Sequence, residues 1–228
     1  MEETDHPNIV KIYQTFEIVN KQKEAYIAIL MEYCENGDLL KFIQDTGFKN
    51  EKQKFQIIRG FLSAMKYLHE RGISHGDIKP ENILLDSNFN AKICGFWYCK
   101  TTLITGDNEK GGTLFYAEPE MFNDGEFTPL KSDIWSIGIL LYCISENGFP
   151  YLKGTTKYLT DQITSGRLFL SSKINKNLRK VVKRCTELKS ERRPSIEELI
   201  EDNYFSFNEK ISNLKMSNII EKLDESSS

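Results

Sequence analysis

No run of apolar residues in this 228-residue chain approaches the roughly 20 needed to span a bilayer, so a membrane-spanning helix is not expected. The first residues, MEETDHPN, are acidic, which argues against a signal peptide at this start. Charge of one sign is not in excess either. With 30 Lys and Arg against 33 Asp and Glu, the net charge of −3 gives no reason to expect nucleic acid or an anionic membrane as partner. Cysteine is scattered and odd in number (Cys34, Cys94, Cys99, Cys143, Cys185), and Cys94 and Cys99 are too isolated from other ligand types to suggest zinc. Reduced thiols in a cytoplasmic protein are the expectation, with a nuclear location left open. A G-x-G-x-x-G loop, the usual backbone cradle for phosphates, is also missing, and Gly106 to Gly112 are too loosely spaced to pass for one.

What is present reads as an ordinary globular chain. Hydrophobic content of 39% and charged content of 28% suit one large domain or two small lobes with a sizeable core. Residues 8–19 (NIVKIYQTFEIV) and 25–33 (AYIAILMEY) are rich in β-branched and aromatic residues around a polar NKQKE, the pattern of a strand pair. Over 51–71, Phe55, Ile58, Leu62, Met65 and Leu68 recur at spacings of three and four, and Gly72 marks the end of this helix. Residues 83–94 predict a hairpin about Asp-Ser-Asn-Phe-Asn. SDIWSIGILLYCIS (132–145) is apolar on nearly every face, as a central buried helix should be. Residues 178–188 are amphipathic, and Ser195 with Glu198 form the S-x-x-E pattern that opens a further helix. The last residues hold an amphipathic stretch (Ile211, Leu214, Ile219, Ile220, Leu223) before a polar DESSS end, expected to be disordered. A small sheet followed by a mostly helical body is an α+β arrangement.

The chemistry concentrates in residues 75–97, HGDIKPENILLDSNFNAKICGFW. Here Asp77, Lys79 and Asn82 place an acid, a base and an amide within eight residues, suited to a phosphate and its metal. The strand that follows should deliver a second carboxylate to the metal's other side. It delivers Cys94, Gly95 and Phe96.

From about His6 to Phe205 the chain resembles the eukaryotic protein kinases, with their motifs in order: HPNIVKIYQTFE, LMEYCENGDLLKFI, HGDIKPEN, GGTLFYAEPE, KSDIWSIGILLY and SERRPS. The wording is closest to the calcium/calmodulin-dependent and AMP-activated-like branch of the Ser/Thr kinases. The resemblance implies a kinase-like α+β fold. Residues 1–33 would be a remnant of the small lobe, 34–205 the helical lobe and 206–228 the amphipathic segment and tail. It implies that Asp77 accepts the substrate hydroxyl proton, Lys79 stabilises the transferred phosphate, Asn82 binds the second magnesium, and Thr113 bridges Asp77 and Lys79. Met31 would be the gatekeeper, Glu32 and Cys34 would face adenine, Asp38 would lie near the ribose, and Leu84 would lie below the base. Asp38 reads equally as the N-cap of the helix that follows. Glu120 with Arg193 would form a buried ion pair, Asp133 would anchor the catalytic loop, and Leu39, Leu140 and Ile144 would continue the stack under adenine.

Four departures stand against that pattern. Gly95 replaces the magnesium-binding aspartate and has no side chain to offer a cation that prefers carboxylate oxygens, while Trp97 replaces a glycine. Asp86 and Asp107 are the nearest acids in sequence that could substitute. The glycine-rich strand pair, the Val-Ala-x-Lys strand and the glutamate helix of the family are not in this sequence. His-Gly-Asp replaces His-Arg-Asp, and Glu118-Pro119-Glu120 replaces Ala-Pro-Glu, which reads as a mild change. One lost electrostatic stabiliser costs about 10²–10³ in rate. Two suggest roughly 10⁴, against a kinase turnover of about 1–100 s⁻¹.

The resemblance thus implies ATP and Mg2+ as cofactors, and the departures weigh against either being held. The leading expectation is a pseudokinase acting by protein binding, with protein partners or a protein substrate, no nucleic acid and no membrane. The alternative is an active ATP-dependent Ser/Thr kinase whose N-terminal part is not in this sequence. A third reading, a fragment that does not fold stably, follows from strand residues Ile27 and Ile29, which have no evident sheet neighbours.

Overall fold

The computed structural model describes residues 5–101, 111–123 and 128–205. The expected amphipathic stretch from Ile211, the end after it and Asp107 lie outside the described residues.

Two antiparallel strands come first, β1 (Ile12–Val19) and β2 (Ala25–Met31), paired from Ile12↔Met31 to Val19↔Ala25. Their apolar residues do not alternate with polar ones, and neither face is covered among the described residues. Tyr13, Phe16, Ile18, Tyr26, Ile27, Leu30 and Met31 are all exposed. The hairpin is tied down at its base. The N–H of Val10 donates to the Ile93 carbonyl at 2.9 Å, and the N–H of Ile93 donates to the Asn8 carbonyl at 2.8 Å.

The helical body begins with α1 (Leu39–Asp45) and α2 (Glu51–His69). Asp38 is the N-cap of α1, its carboxylate accepting from the Lys41 N–H at 2.9 Å, so the capping reading of that residue holds. In α2 all five periodic residues are buried, together with Ile57, Phe61 and Ala64, so the helix is covered on two sides. Gly72 follows at φ +67°, a left-handed turn that glycine adopts without penalty.

Next come β3 (Ile73–Ser74), the hairpin β4 (Ile83–Leu85) with β5 (Ala91–Ile93), and β6 (Lys100–Thr101), which pairs with β3. Among the described residues the sheets are thus three separate strand pairs rather than one layer. The central helix α3 (Pro129–Glu146) buries eleven residues, including Trp135, Leu140 and Ile144. Gly138 lets it approach α5 (Lys176–Cys185), because a Cβ there would lie 2.6 Å from the Cys185 Cβ. The short helices α4 (Thr156–Thr164) and α6 (Ile196–Ile200) complete the body. In α6 the expected capping box is formed in both directions between Ser195 and Glu198. All five cysteines are free. No described helix is long and apolar enough to cross a membrane.

Candidate functional site

The loop between β3 and β4 carries the acid, and α3 holds that loop in place. Asp133, buried on α3, accepts the His75 N–H at 2.8 Å and the Gly76 N–H at 3.0 Å, and pairs with His69 Nε2 at 2.9 Å. One carboxylate thereby fixes the loop backbone to two helices. His75 Nδ1 accepts the Asp77 N–H at 3.2 Å, which leaves Nε2 as the donor to the Cys94 carbonyl at 2.8 Å. This is the neutral imidazole, and burial lowers its pKa accordingly. Its ring lies 4.9 Å from that of Phe96.

These contacts present Asp77 to three partners. Lys79 Nζ lies 2.8 Å from Asp77 Oδ2, the Thr113 hydroxyl donates to Oδ1 at 2.7 Å, and Asn82 Nδ2 donates to Oδ2 at 3.0 Å. Lys79 also donates to the Thr113 oxygen at 2.7 Å. Burial alone would raise the Asp77 carboxyl. The hydrogen bonds from Lys79 and Thr113, the Lys79 charge and Asn82 outweigh it and hold the group ionised below its ordinary range. The four residues expected at one site are therefore together, three of them gathered around the Asp77 carboxylate.

Gly95 sits at φ +79°, and a Cβ there would lie 2.5 Å from both Cγ and Oδ1 of Asn82. The Asn82 amide occupies the volume a side chain at 95 would need, and it donates to Asp77. Magnesium calls for octahedral oxygen ligands, usually one or two carboxylates beside the substrate phosphates. Here the carboxylate of Asp77 is engaged three times over and the opposite side is bare backbone, so these residues do not fit the ion. Nor does Asp86 stand in, because its oxygens accept from the backbone of Asn88 and from both backbone and side chain of Asn90, all at about 3 Å.

Beside Gly95 a cavity of about 740 Å³ opens between the hairpin and the Gly95–Trp97 turn. Its lining includes Ile12, Thr15, Ile29, Met31, Cys94 and Phe96, and no residue lining it is charged. Of the five residues expected around a base, only Met31 lines this cavity. The Glu32 carboxylate is drawn away to Lys92, 2.6 Å distant, and Leu84 is bridged to Asp38. The Glu32 N–H donates to the Lys11 carbonyl and the Cys34 carbonyl accepts from Gly37. The Glu32 carbonyl and the Cys34 N–H make no hydrogen bond among the described residues, which leaves one acceptor and one donor for a ligand edge. Burial pushes the Cys34 and Cys94 thiols up to about 11, so neither is a nucleophile at neutral pH.

Three features were missed from sequence. Gly76, at φ +78°, lies so close to Tyr98 that a Cβ would overlap the Tyr98 carbonyl, while the Tyr98 ring fills the space over Gly111. His69 joins Asp133, with no signal beyond its place at the end of α2. Glu118 is buried against Arg193 beside the expected partner Glu120, so the change read as mild puts a second acid inside the protein.

In sequence, residues 1–205 match the protein kinase domain family. The chain belongs to that family. This kinase domain is similar to the Serine/threonine-protein kinase kin-29 of Caenorhabditis elegans, at 29% identity over 98% of the chain and 27% of the relative. It is 34% identical to 3-phosphoinositide-dependent protein kinase B of Dictyostelium discoideum, over 90% of the chain and 23% of that protein. It is 31% identical to Serine/threonine-protein kinase ppk34 of Schizosaccharomyces pombe, over 89% and 58% respectively. The chain thus spans about a quarter of the first two relatives and just over half of the third.

Proposed function

We propose that this protein kinase domain acts by binding protein partners rather than by transferring phosphate from ATP and Mg2+. The observation that carries the reading is the packing of Asn82 over Gly95. It removes one metal carboxylate, occupies the space where one would stand, and turns the remaining metal-ligand candidate toward Asp77. The uncharged lining of the adjoining cavity supports it further, because a polyphosphate needs cations close by. Asp77, Lys79 and Thr113 then serve as a structural clasp joining the catalytic-type loop to the 111–123 segment. The Glu32 carbonyl and the Cys34 N–H leave room for a purine edge without a held phosphate. The wording of its motifs supports our reading of the domain as one of the calcium/calmodulin-dependent and AMP-activated-like branch.

A second reading, an active protein Ser/Thr kinase, is favoured by the intact bonding of Asp77 to Lys79 and Thr113. Melting the purified protein with millimolar ATP, with and without magnesium, separates the two, since a ligand that binds the folded state raises the melting temperature. The binding-module reading expects no magnesium-dependent shift and no phosphate transfer to a generic protein substrate. A magnesium-dependent rise of several degrees, with transfer abolished in Asp77→Asn, establishes the kinase instead.

A further inference from the structure

Strand β2 has β1 on one side and, among the described residues, no strand on the other. The ends of the hairpin show which way its backbone faces. The Asn20 N–H donates to the Glu24 carbonyl at 3.0 Å, and the Glu32 N–H donates to the Lys11 carbonyl at 2.8 Å. In an antiparallel ladder, residues alternate between bonding to the neighbour and facing away from it. With Gln14 opposite Leu30, Phe16 opposite Ala28 and Ile18 opposite Tyr26, the even-numbered residues of β2 bond to β1. Ala25, Ile27, Ile29 and Met31 therefore turn their N–H and C=O groups outward, and no hydrogen bond to these groups is formed among the described residues.

The two edges of this hairpin are built differently. Sheet proteins guard a free edge with a charge, a proline or a bulge. β1 carries Glu17 within the strand and a break in register between Ile12 and Gln14. β2 reads AYIAILM, seven residues without a charge, a proline or a glycine. Its side chains are open to solvent as well, with Tyr26, Ile27, Leu30 and Met31 between 45% and 74% exposed. A two-stranded hairpin is marginally stable by itself, and further strands are what make such a sheet hold.

The sequence of β2 also fits itself. Turned about a two-fold axis at Ala28, it sets Ala25 against Met31, Tyr26 against Leu30 and Ile27 against Ile29 of a second copy. Every pair is apolar, so no like charges meet across the axis. Ile27 and Ile29 both face outward, so they exchange backbone hydrogen bonds on each side of it. A two-fold interface needs this kind of self-complementary patch.

We propose that β2 is a self-association edge, at which two copies of this chain pair antiparallel into one four-stranded sheet ordered β1-β2-β2-β1. The Ile27 N–H of each copy donates to the Ile29 carbonyl of the other, and the Ile29 N–H to the Ile27 carbonyl. The guarded β1 edges then lie at the two ends, so the assembly closes at two copies instead of running on as a fibre. Ile29 and Met31 also line the cavity beside Gly95, so the interface borders the candidate site. The inference does not depend on whether that site transfers phosphate.

Size exclusion with light scattering on the full chain, from about 1 to 100 µM, tests the pairing. The wild type is expected to pass from the mass of one chain to that of two as concentration rises. Ile27→Pro removes an outward N–H and leaves the bonds to β1 in place, so it should remain a single chain throughout. Amide hydrogen exchange locates the contact. In the wild type, exchange at Ile27 and Ile29 should slow about tenfold or more across that range, while Tyr26 and Ala28, already bonded to β1, should slow less. A wild type that stays a single chain overturns the proposal, as does growth past two copies. A dimer in which Ile27 and Ile29 exchange as fast as in the monomer overturns it too, as does undiminished dimerisation of Ile27→Pro. If Ile27→Pro fails to fold, the wild-type exchange decides alone.

Discussion

The Asn82 side chain fills the position that a side chain at Gly95 would occupy, with 2.5 Å between its Cγ and a Cβ placed there. The space beside the Gly95 backbone is therefore not empty. The Asn82 amide occupies it and donates to Asp77 at 3.0 Å. Placing an acid there in Gly95→Asp is expected to lower stability by about 1–3 kcal/mol, from the positive φ and the displaced amide. It should also fail to create magnesium binding. Denaturant unfolding with and without magnesium checks both.

Lys79 is expected to matter to the ionisation of Asp77. In the wild type the depressed carboxyl contributes stability that is present above its ordinary 3.8 and is lost as pH falls through its lower folded value. In Lys79→Met the opposing burial has less to overcome it. The Asp77 titration should then move to higher pH, as followed by carboxyl carbon NMR, and acid unfolding should begin earlier. An unmoved titration would mean that Thr113 and Asn82 suffice.

Asp133→Asn should be among the more damaging single changes. The buried carboxylate serves two backbone N–H groups and His69, and an amide cannot accept from all three with both of its termini. A loss of about 2–4 kcal/mol is expected in chemical denaturation. A change within ±0.5 kcal/mol would show that the loop is held by other contacts.

On the hairpin, Ile27 is 74% exposed. Ile27→Lys is expected to leave stability within about 0.5 kcal/mol of wild type and to reduce aggregation in light scattering, because it breaks an exposed apolar strand.

What could be read in advance was local. The period of α2, the Ser195–Glu198 box and the wording around Asp77 are carried by residues a few positions apart, so the sequence displays them directly. The strands around Ile12 and Ala25 were visible from composition, but without alternation no face could be assigned to a core, and the structure leaves both faces open. The burial of Glu118 was hidden, although the expected Glu120–Arg193 pair lies two positions on, because its own contact to Arg193 spans 75 positions. The overlap of Asn82 with the space above Gly95 was hidden likewise, since it arises only when β4 and β5 bring positions 82 and 95 together. The Gly76–Tyr98–Gly111 packing was also tertiary, and in the sequence Gly76 showed only as the residue standing in place of an arginine.

Crystals of the protein soaked with ATP and manganese, examined for anomalous scattering beside Asp77, test the central claim most directly. The expected result is no ordered ion between Asp77, Asn82 and a nucleotide phosphate, with Asn82 still packed over Gly95. An ordered ion ligated by Asn82 or Asp77 and by the phosphates would contradict the account and restore this domain to the active kinases.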